Sequence, residues 1–133
     1  MSQGNVEVIR RVLQAASCGD VAAAKDLMGP DIQLDSRFGS VEGGSYRGFS
    51  GIERWFADVA DTWEMSEQTP ERFIEVDERR TIALTRVRGR GRGSGVELDE
   101  DTASIWTVRD GKVVGIEAHR SLDQALEAAG LRE

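Results

Sequence analysis

The sequence has one cysteine and one histidine among its 133 residues, and these shortages exclude several kinds of site. A single cysteine, Cys18, cannot form an intrachain disulfide, which fits a reducing cytoplasm. A zinc site is not expected, because His119 stands alone and no Cys-x-x-Cys or His-x-His pattern is present. EF-hand spacing is also absent. We therefore predict a cytoplasmic protein with no metal and no other cofactor.

Long apolar runs and excess positive charge are lacking as well. No apolar run approaches the roughly 20 residues that span a membrane, and the N-terminal segment MSQGNVEVIRR has no apolar signal core. A membrane is therefore not an expected partner. Nucleic acid is not expected either, because the net charge of −7 would repel a phosphate backbone. With 39% hydrophobic and 31% charged residues, the composition predicts one globular domain over residues 1–133.

The first half of the chain carries helix patterns. Asn5 is a predicted cap for a helix to about Ser17, Gly19 supplies a left-handed stop, and Asp20 caps a second helix. Further helices are predicted from capping boxes at Ser50 and Ser121. Short strands are predicted at residues 31–35 and 71–76, with a Ser- and Gly-rich loop after the first.

Three long strands follow between Thr81 and Arg120. Helices first and a β-meander last predict an α+β fold, a cone-shaped curved antiparallel sheet wrapped around the N-terminal helices and enclosing a pocket.

The hairpin between the last two strands sets which residues face that pocket. A three-residue loop, Arg109–Gly111, pairs residues whose numbers sum to 220, for example Ser104 with Ile116. Side chains alternate across a strand, so Ser104, Trp106, Ile116 and Ala118 would then line the concave side, while His119 would lie outside opposite Asp101. A two-residue Asp-Gly loop is the alternative, and it would swap the faces of the last strand.

In the preceding hairpin, charge predicts the register. One alignment of the two strands places three arginines opposite three acidic residues: Arg86 opposite Asp101, Arg88 opposite Asp99 and Arg90 opposite Glu97. This register places Ile82, Leu84, Ala103 and Ile105 together on the outer face. The helices are not expected to cover this face, so a partner subunit is the simplest cover for its four apolar residues, and a homodimer is predicted.

Glu100 and Arg120 are the candidate catalytic pair. On the three-residue register they face each other inside the cone, where Arg120 binds a carboxylate or enolate and Glu100 moves a proton. The structural alternative is a salt bridge that closes the rim of the pocket.

Other side chains suit a pocket lining. Hydroxyls on Ser36, Thr102 and Ser104 could orient a carbonyl, although without an adjacent base none is a nucleophile. Aromatic rings in the third helix and the meander would form a wall for a flat ligand or simply part of the core. The Tyr46 hydroxyl could reach the pocket, or its ring could anchor a turn.

Several segments together resemble a known family. CGDVAAAKDLMGPDI, EGGSYRGFSGIERWF and SIWTVRDGKVVGIEAHR, in this order, resemble the SnoaL-like branch of the nuclear transport factor 2-like superfamily. The resemblance covers nearly the whole chain and implies a cone with a deep apolar pocket. Members include ketosteroid isomerase, limonene epoxide hydrolase, scytalone dehydratase, polyketide cyclases and proteins that only bind, and many are dimers.

The catalytic residues of those relatives do not carry over. The general base of ketosteroid isomerase falls on Ser36, and its two oxyanion donors fall on Val12 and Ser104. The aspartate of the aldol-cyclising members falls on Ala118. The resemblance therefore implies the fold without implying steroid isomerase chemistry.

Two functions stay open from the sequence. The first is a domain that binds a small, largely apolar molecule; the second is a cofactor-independent isomerase, cyclase, dehydratase or hydrolase that acts by proton transfer. The residues predicted to contact the ligand are Val12, Ser36, Tyr46, Trp55, Phe56, Thr102, Ser104, Trp106, Ile116, Ala118 and Arg120.

Overall fold

The computed structural model describes residues 2–36 and 44–131. For Ser2, Gln3 and Ser36 it describes the backbone only. The predicted Ser- and Gly-rich loop falls largely at 37–43, outside the described residues. Four helices are present in the described parts: α1 (Ser2–Cys18), α2 (Val21–Asp26), α3 (Gly48–Thr62) and α4 (Leu122–Ala128). Six strands accompany them: β1 (Met28–Ser36), β2 (Ser45–Arg47), β3 (Trp63–Glu75), β4 (Arg80–Gly91), β5 (Glu97–Arg109) and β6 (Lys112–His119).

The six strands form one curved, unclosed sheet in the order β2-β1-β6-β5-β4-β3. Neighbouring strands are antiparallel, except that β1 runs parallel to β6. The main core packs residues of α1, α2 and α3, such as Ile9, Ala24 and Ile52, against Trp106 and Ile116 of the sheet. The predicted α+β fold with helices on the concave face is confirmed.

Local capping signals explain several helix ends. Asp20 accepts a hydrogen bond from the Ala23 amide at the start of α2, and Ser121 does the same for Gln124 at the start of α4. Gly19 has φ 72° just after α1, a conformation that costs glycine little. These predicted caps and this stop are confirmed. The predicted cap at Asn5 is wrong, because α1 begins three residues earlier.

Other boundaries differ from the prediction for tertiary reasons. Helix α3 begins at Gly48, not at a Ser50 capping box, because β2 pairs with β1 up to Arg47 and Gly48 turns the chain at φ 71°. Helix α2 was predicted to continue to the residue before Gly29-Pro30, but it ends at Asp26, since Met28 already pairs with Val113 of β6.

Strand β3 is much longer than the predicted 71–76 segment. It starts at Trp63, directly after α3, because it pairs with β4 along nearly its full length. Pro70 is tolerated because β3 is an edge strand, and the register shifts between Pro70 and Arg72.

The β5–β6 hairpin corrects the predicted loop. Arg109 pairs with Lys112, so the loop has two residues, Asp110 and Gly111, with φ 54° and 77°. Both positive values are typical of a type I′ turn. The three-residue loop was therefore wrong.

A second shift in the β5–β6 pairing cancels the effect of the shorter loop on which side chains face the concave side. The pairing shifts again between Thr107 and Val108, leaving Val114 as an extra residue in β6. Ser104 consequently pairs with Ala118 rather than Ile116, and His119 with Ala103 rather than Asp101. Two shifts of one residue restore the alternation, so Ser104, Trp106, Ile116 and Ala118 still face the concave side and His119 the outer side, as predicted.

The β4–β5 hairpin has the register that charge predicted, with Arg86, Arg88 and Arg90 opposite Asp101, Asp99 and Glu97. The Arg86 guanidinium donates to Asp99 at 2.6 Å and to Asp101 at 3.1 Å. These hydrogen bonds raise the pKa of Arg86, and its side chain lowers the pKa of Asp99.

The outer face of the sheet is not left uncovered by helices, which corrects the sequence expectation. Ile82 and Ala103 are fully buried there in a second core, to which Ala125 and Ala129 from α4 and its end contribute. The cover comes from the same chain, because the short β6–α4 connection folds α4 back over the sheet.

Candidate functional site

A cavity of about 170 Å³ lies between the concave face of the sheet and helices α1 and α3. Apolar atoms dominate its surface. Val12, Leu13 and Ala16 approach from α1, and Leu34, Ile116 and Ala118 lie on the opposing strands. Such concave, mostly apolar sites with a few polar groups are typical of small-molecule binding.

Aromatic rings form much of the wall. All three tryptophans of the chain, Trp55, Trp63 and Trp106, line the cavity together with Phe56. Trp55 and Phe56 meet edge to face, with ring centroids 5.1 Å apart and planes at 80°. Gly89 lies against the indole of Trp63, where a β-carbon would be 3.1 Å from Cε3. Every tryptophan therefore reports on the cavity.

Hydroxyl groups interrupt the apolar surface on the sheet side. The Trp106 indole Nε1 donates to Ser104 Oγ at 2.7 Å, and the Thr102 hydroxyl donates to the Thr85 carbonyl at 3.4 Å. Thr85 Oγ1 is buried and has no hydrogen-bond partner among the described residues. Ser104 accepts from the indole and keeps its own proton for another acceptor.

One carboxylate reaches the cavity, and sequence reasoning missed it. The Tyr46 hydroxyl donates to Asp58 Oδ2 at 2.8 Å, and both residues line the cavity. Tyr46 is buried, with 3% of its surface exposed. Asp58 is on α3, three residues after Trp55 and four before Thr62, so all three share a helix face. This helical spacing from Trp55 is a signal in the sequence that marks Asp58 as a neighbour of the aromatic wall.

The structure brings most of the predicted ligand contacts together around this one cavity. The predicted residues that line it are Val12, Tyr46, Trp55, Phe56, Thr102, Ser104, Trp106, Ile116 and Ala118. Position 36 is in β1 beside Ala118, and the Ser36 side chain lies outside the described residues. Contact between these residues and a ligand stays a prediction.

Glu100 and Arg120 do not form the predicted pair. Pairing between β5 and β6 ends at Ala103 and His119, so the register does not place Glu100 opposite Arg120. Glu100 is opposite Val87 of β4 instead, and both Glu100 and Arg120 are exposed and outside the cavity lining. The predicted pairing was wrong because the loop is shorter and β6 is bulged.

His119 lies on the outer side of the sheet, as the alternation predicted. It is 7% exposed, and its Nε2 is 2.7 Å from Glu117 Oε2 on the same strand. The predicted partner, Asp101, is wrong; the cross-strand neighbour is Ala103.

Two broader features concern metals and membranes. Within residues 2–36 and 44–131, no three His, Cys, Asp or Glu side chains are grouped in a way that could hold a metal ion. No helix in these same ranges is long and apolar enough to cross a membrane.

The model of the SnoaL-like domain family matches residues 9–116, so the chain belongs to this family within the nuclear transport factor 2-like superfamily. A comparison with curated proteins found no match.

Solved structures share the fold at low sequence identity. TerC, co-crystallised with polyporic acid, is 22% identical, with a TM-score of 0.76 over 96% of this chain and 98% of that chain. A protein of ketosteroid isomerase-like fold from Catenulispora acidiphila, in complex with trimethylamine, is 17% identical, with a TM-score of 0.77 over 95% and 94%. A protein from Jannaschia sp. CCS1 named as a SnoaL-like polyketide cyclase is 16% identical, with a TM-score of 0.75 over 98% and 94%.

Proposed function

We propose that this protein binds a small, largely apolar molecule in the cavity between α1, α3 and the sheet. The observation that carries the proposal is the enclosed aromatic lining around Trp55, Phe56 and Trp106. At about 170 Å³, the cavity is close in size to one of about 150 Å³ that accepts benzene in another protein. A volume of this size suits a ligand with one aromatic ring.

Two structural relatives support small-molecule binding as a use of this fold. TerC was crystallised with polyporic acid, and the Catenulispora acidiphila protein with trimethylamine. Each ligand belongs to its own protein, and the inference to this chain depends on the cavity of this chain.

The test is binding of neutral single-ring compounds, such as benzyl alcohol, followed by the fluorescence of the three tryptophans and by calorimetry. Ala118→Phe would fill the cavity from the sheet side and should abolish binding. Ala57→Phe adds the same ring at an exposed position of α3 outside the lining and should leave binding unchanged. An absence of binding in the wild type, or equal binding by Ala118→Phe, would contradict the proposal.

A second candidate function is proton-transfer catalysis, and the Tyr46–Asp58 hydrogen bond favours it. A carboxylate held by a neighbouring hydroxyl at an apolar wall is suited to act as a general base. Asp58 would then carry out the proton transfer that the sequence predicted for Glu100. Because Ser36, Val12 and Ser104 occupy the positions of the ketosteroid isomerase residues, isomerisation of steroids is not expected.

Catalysis can be tested without knowing the substrate. Small apolar ketones in D₂O would exchange protons next to the carbonyl, and exchange would be followed by NMR. A base at Asp58 predicts faster exchange than in buffer, lost in Asp58→Asn and retained in Glu100→Gln. Exchange at the buffer rate for every ketone that binds would leave binding alone as the function.

A homodimer and a cytoplasmic location stay predictions. The outer face of the sheet supports a dimer less than its apolar sequence suggested, because α4 covers part of that face. Sedimentation of the wild-type protein decides the oligomeric state directly.

A further inference from the structure

The described lining of the cavity carries a single formal charge. Among the described residues that line it, Asp58 is the only one with a charged side chain at neutral pH, and none of them is Lys, Arg or His. Among these residues, an anionic ligand would therefore meet one negative charge and no compensating cation. The predicted role of Arg120 in binding a carboxylate or enolate has no counterpart here, since Arg120 lies outside the lining.

The charge of Asp58 is not neutralised by an ion pair within the described parts of the chain. Its hydrogen bond there comes from the Tyr46 hydroxyl to Oδ2, which leaves Oδ1 to accept from another donor. Arg54, four residues earlier on α3, points elsewhere. Its guanidinium carbon lies 5.0 Å from the centre of the Tyr46 ring, and its Nη2 donates to the Ser45 carbonyl at 3.4 Å.

The walls around this carboxylate suit a cation as well as an apolar body. Trp55, one helical turn before Asp58, and Phe56 present aromatic surfaces to the same cavity, and Trp106 does so from the sheet. Aromatic faces attract cations through the ring quadrupole, most strongly at tryptophan. The carboxylate and the aromatic rings therefore both favour a positively charged ligand.

We infer that the cavity prefers small hydrophobic amines, bound as ammonium ions at Asp58 with the apolar part against the aromatic wall. The inference rests on the proposed ligand-binding function and names the class of ligand. Neutral molecules of the same shape would bind less tightly, and carboxylates least, because Asp58 repels them.

The test compares three single-ring probes that differ in charge: benzylamine, benzyl alcohol and phenylacetate. Each is titrated into the wild-type protein at neutral pH, with calorimetry and tryptophan fluorescence as readouts. The wild type should bind benzylamine about tenfold or more tightly than benzyl alcohol, the increment of one charge-assisted contact. Phenylacetate should bind more weakly than benzyl alcohol.

Asp58→Asn keeps the shape of the side chain and removes its charge, so benzylamine and benzyl alcohol should bind this variant with about equal affinity. Asp61→Asn removes the same charge from an exposed position of α3 outside the lining and should keep the preference. Circular dichroism verifies that each variant folds.

The outcomes separate the two proposals. If no probe binds, the proposed ligand-binding function fails together with the amine preference. If benzyl alcohol or phenylacetate binds as tightly as benzylamine, ligand binding stands and the amine preference is overturned. The amine preference is also overturned if Asp58→Asn and Asp61→Asn lower it equally, since the effect would then be a general one of net charge.

Discussion

The backbone of Tyr46 lies directly against Gly51 in the first turns of α3. A β-carbon on Gly51 would be 2.9 Å from the Tyr46 carbonyl carbon and 3.3 Å from its Cα. This close approach holds β2 to α3. It thereby places the Tyr46 ring in the cavity wall, where its hydroxyl meets Asp58 seven residues further along the helix from Gly51.

Gly51→Ala is expected to destabilise the protein, although alanine is the better helix former by about 1 kcal/mol. The added methyl group must push the Tyr46 backbone away, and overpacking of this kind costs about 1–3 kcal/mol. Urea unfolding measures the change. Gly4→Ala in α1, where nothing lies within 4 Å, is the control and should be neutral or slightly stabilising. A Gly51→Ala protein as stable as the wild type would show that β2 can move away from α3 without a loss of stability.

Ser104→Ala should destabilise the protein by about 1–3 kcal/mol, because it leaves the buried Trp106 indole N–H without its acceptor. The emission of Trp106 should shift as well. Ser66→Ala is the matched control, a cavity-lining serine with no described hydrogen bond of its side chain. Thermal unfolding of the two variants should differ clearly; equal losses would mean that the hydroxyl of Ser104 contributes little.

Asp99→Asn should alter how stability depends on pH. Because Arg86 lowers the pKa of Asp99 in the folded state, this carboxylate contributes stability above its ordinary pKa of about 4. That contribution is lost as the pH falls through the lowered value. The melting temperatures of wild type and Asp99→Asn should differ most at neutral pH and converge in acid. Glu71→Gln on β3, which has no described ion pair, should show no such convergence.

Ala125→Glu should detach α4 from the sheet, since Ala125 is fully buried in the second core and an unpaired charge there is costly. Hydrogen exchange should rise in α4 and over Ile82 and Ala103, with the cavity side of the sheet less affected. Ala128→Glu adds the same charge on the exposed side of α4 and is the control. Unchanged exchange in Ala125→Glu would mean that α4 does not contribute to the outer core.

Local chemistry determined much of this protein before any tertiary contact is considered. The caps at Asp20 and Ser121 and the stop at Gly19 follow from short-range hydrogen bonds and glycine conformation, so they can be predicted from a few neighbouring residues. Charge likewise predicted the β4–β5 register, because opposed arginines and carboxylates leave one favourable alignment. The alternation of side chains then placed the inward residues of β5 and β6.

Tertiary structure decided the remainder. The shorter hairpin loop and the bulge at Val114 cancel in their effect on the faces, and neither can be read from alternation alone. Whether α4 folds back over Ile82, and whether Tyr46 in β2 reaches Asp58 in α3, depends on contacts between elements distant in the chain. Helical periodicity could mark Asp58 as a neighbour of Trp55, but only the packing of α3 against the sheet makes that helix face the wall of a cavity.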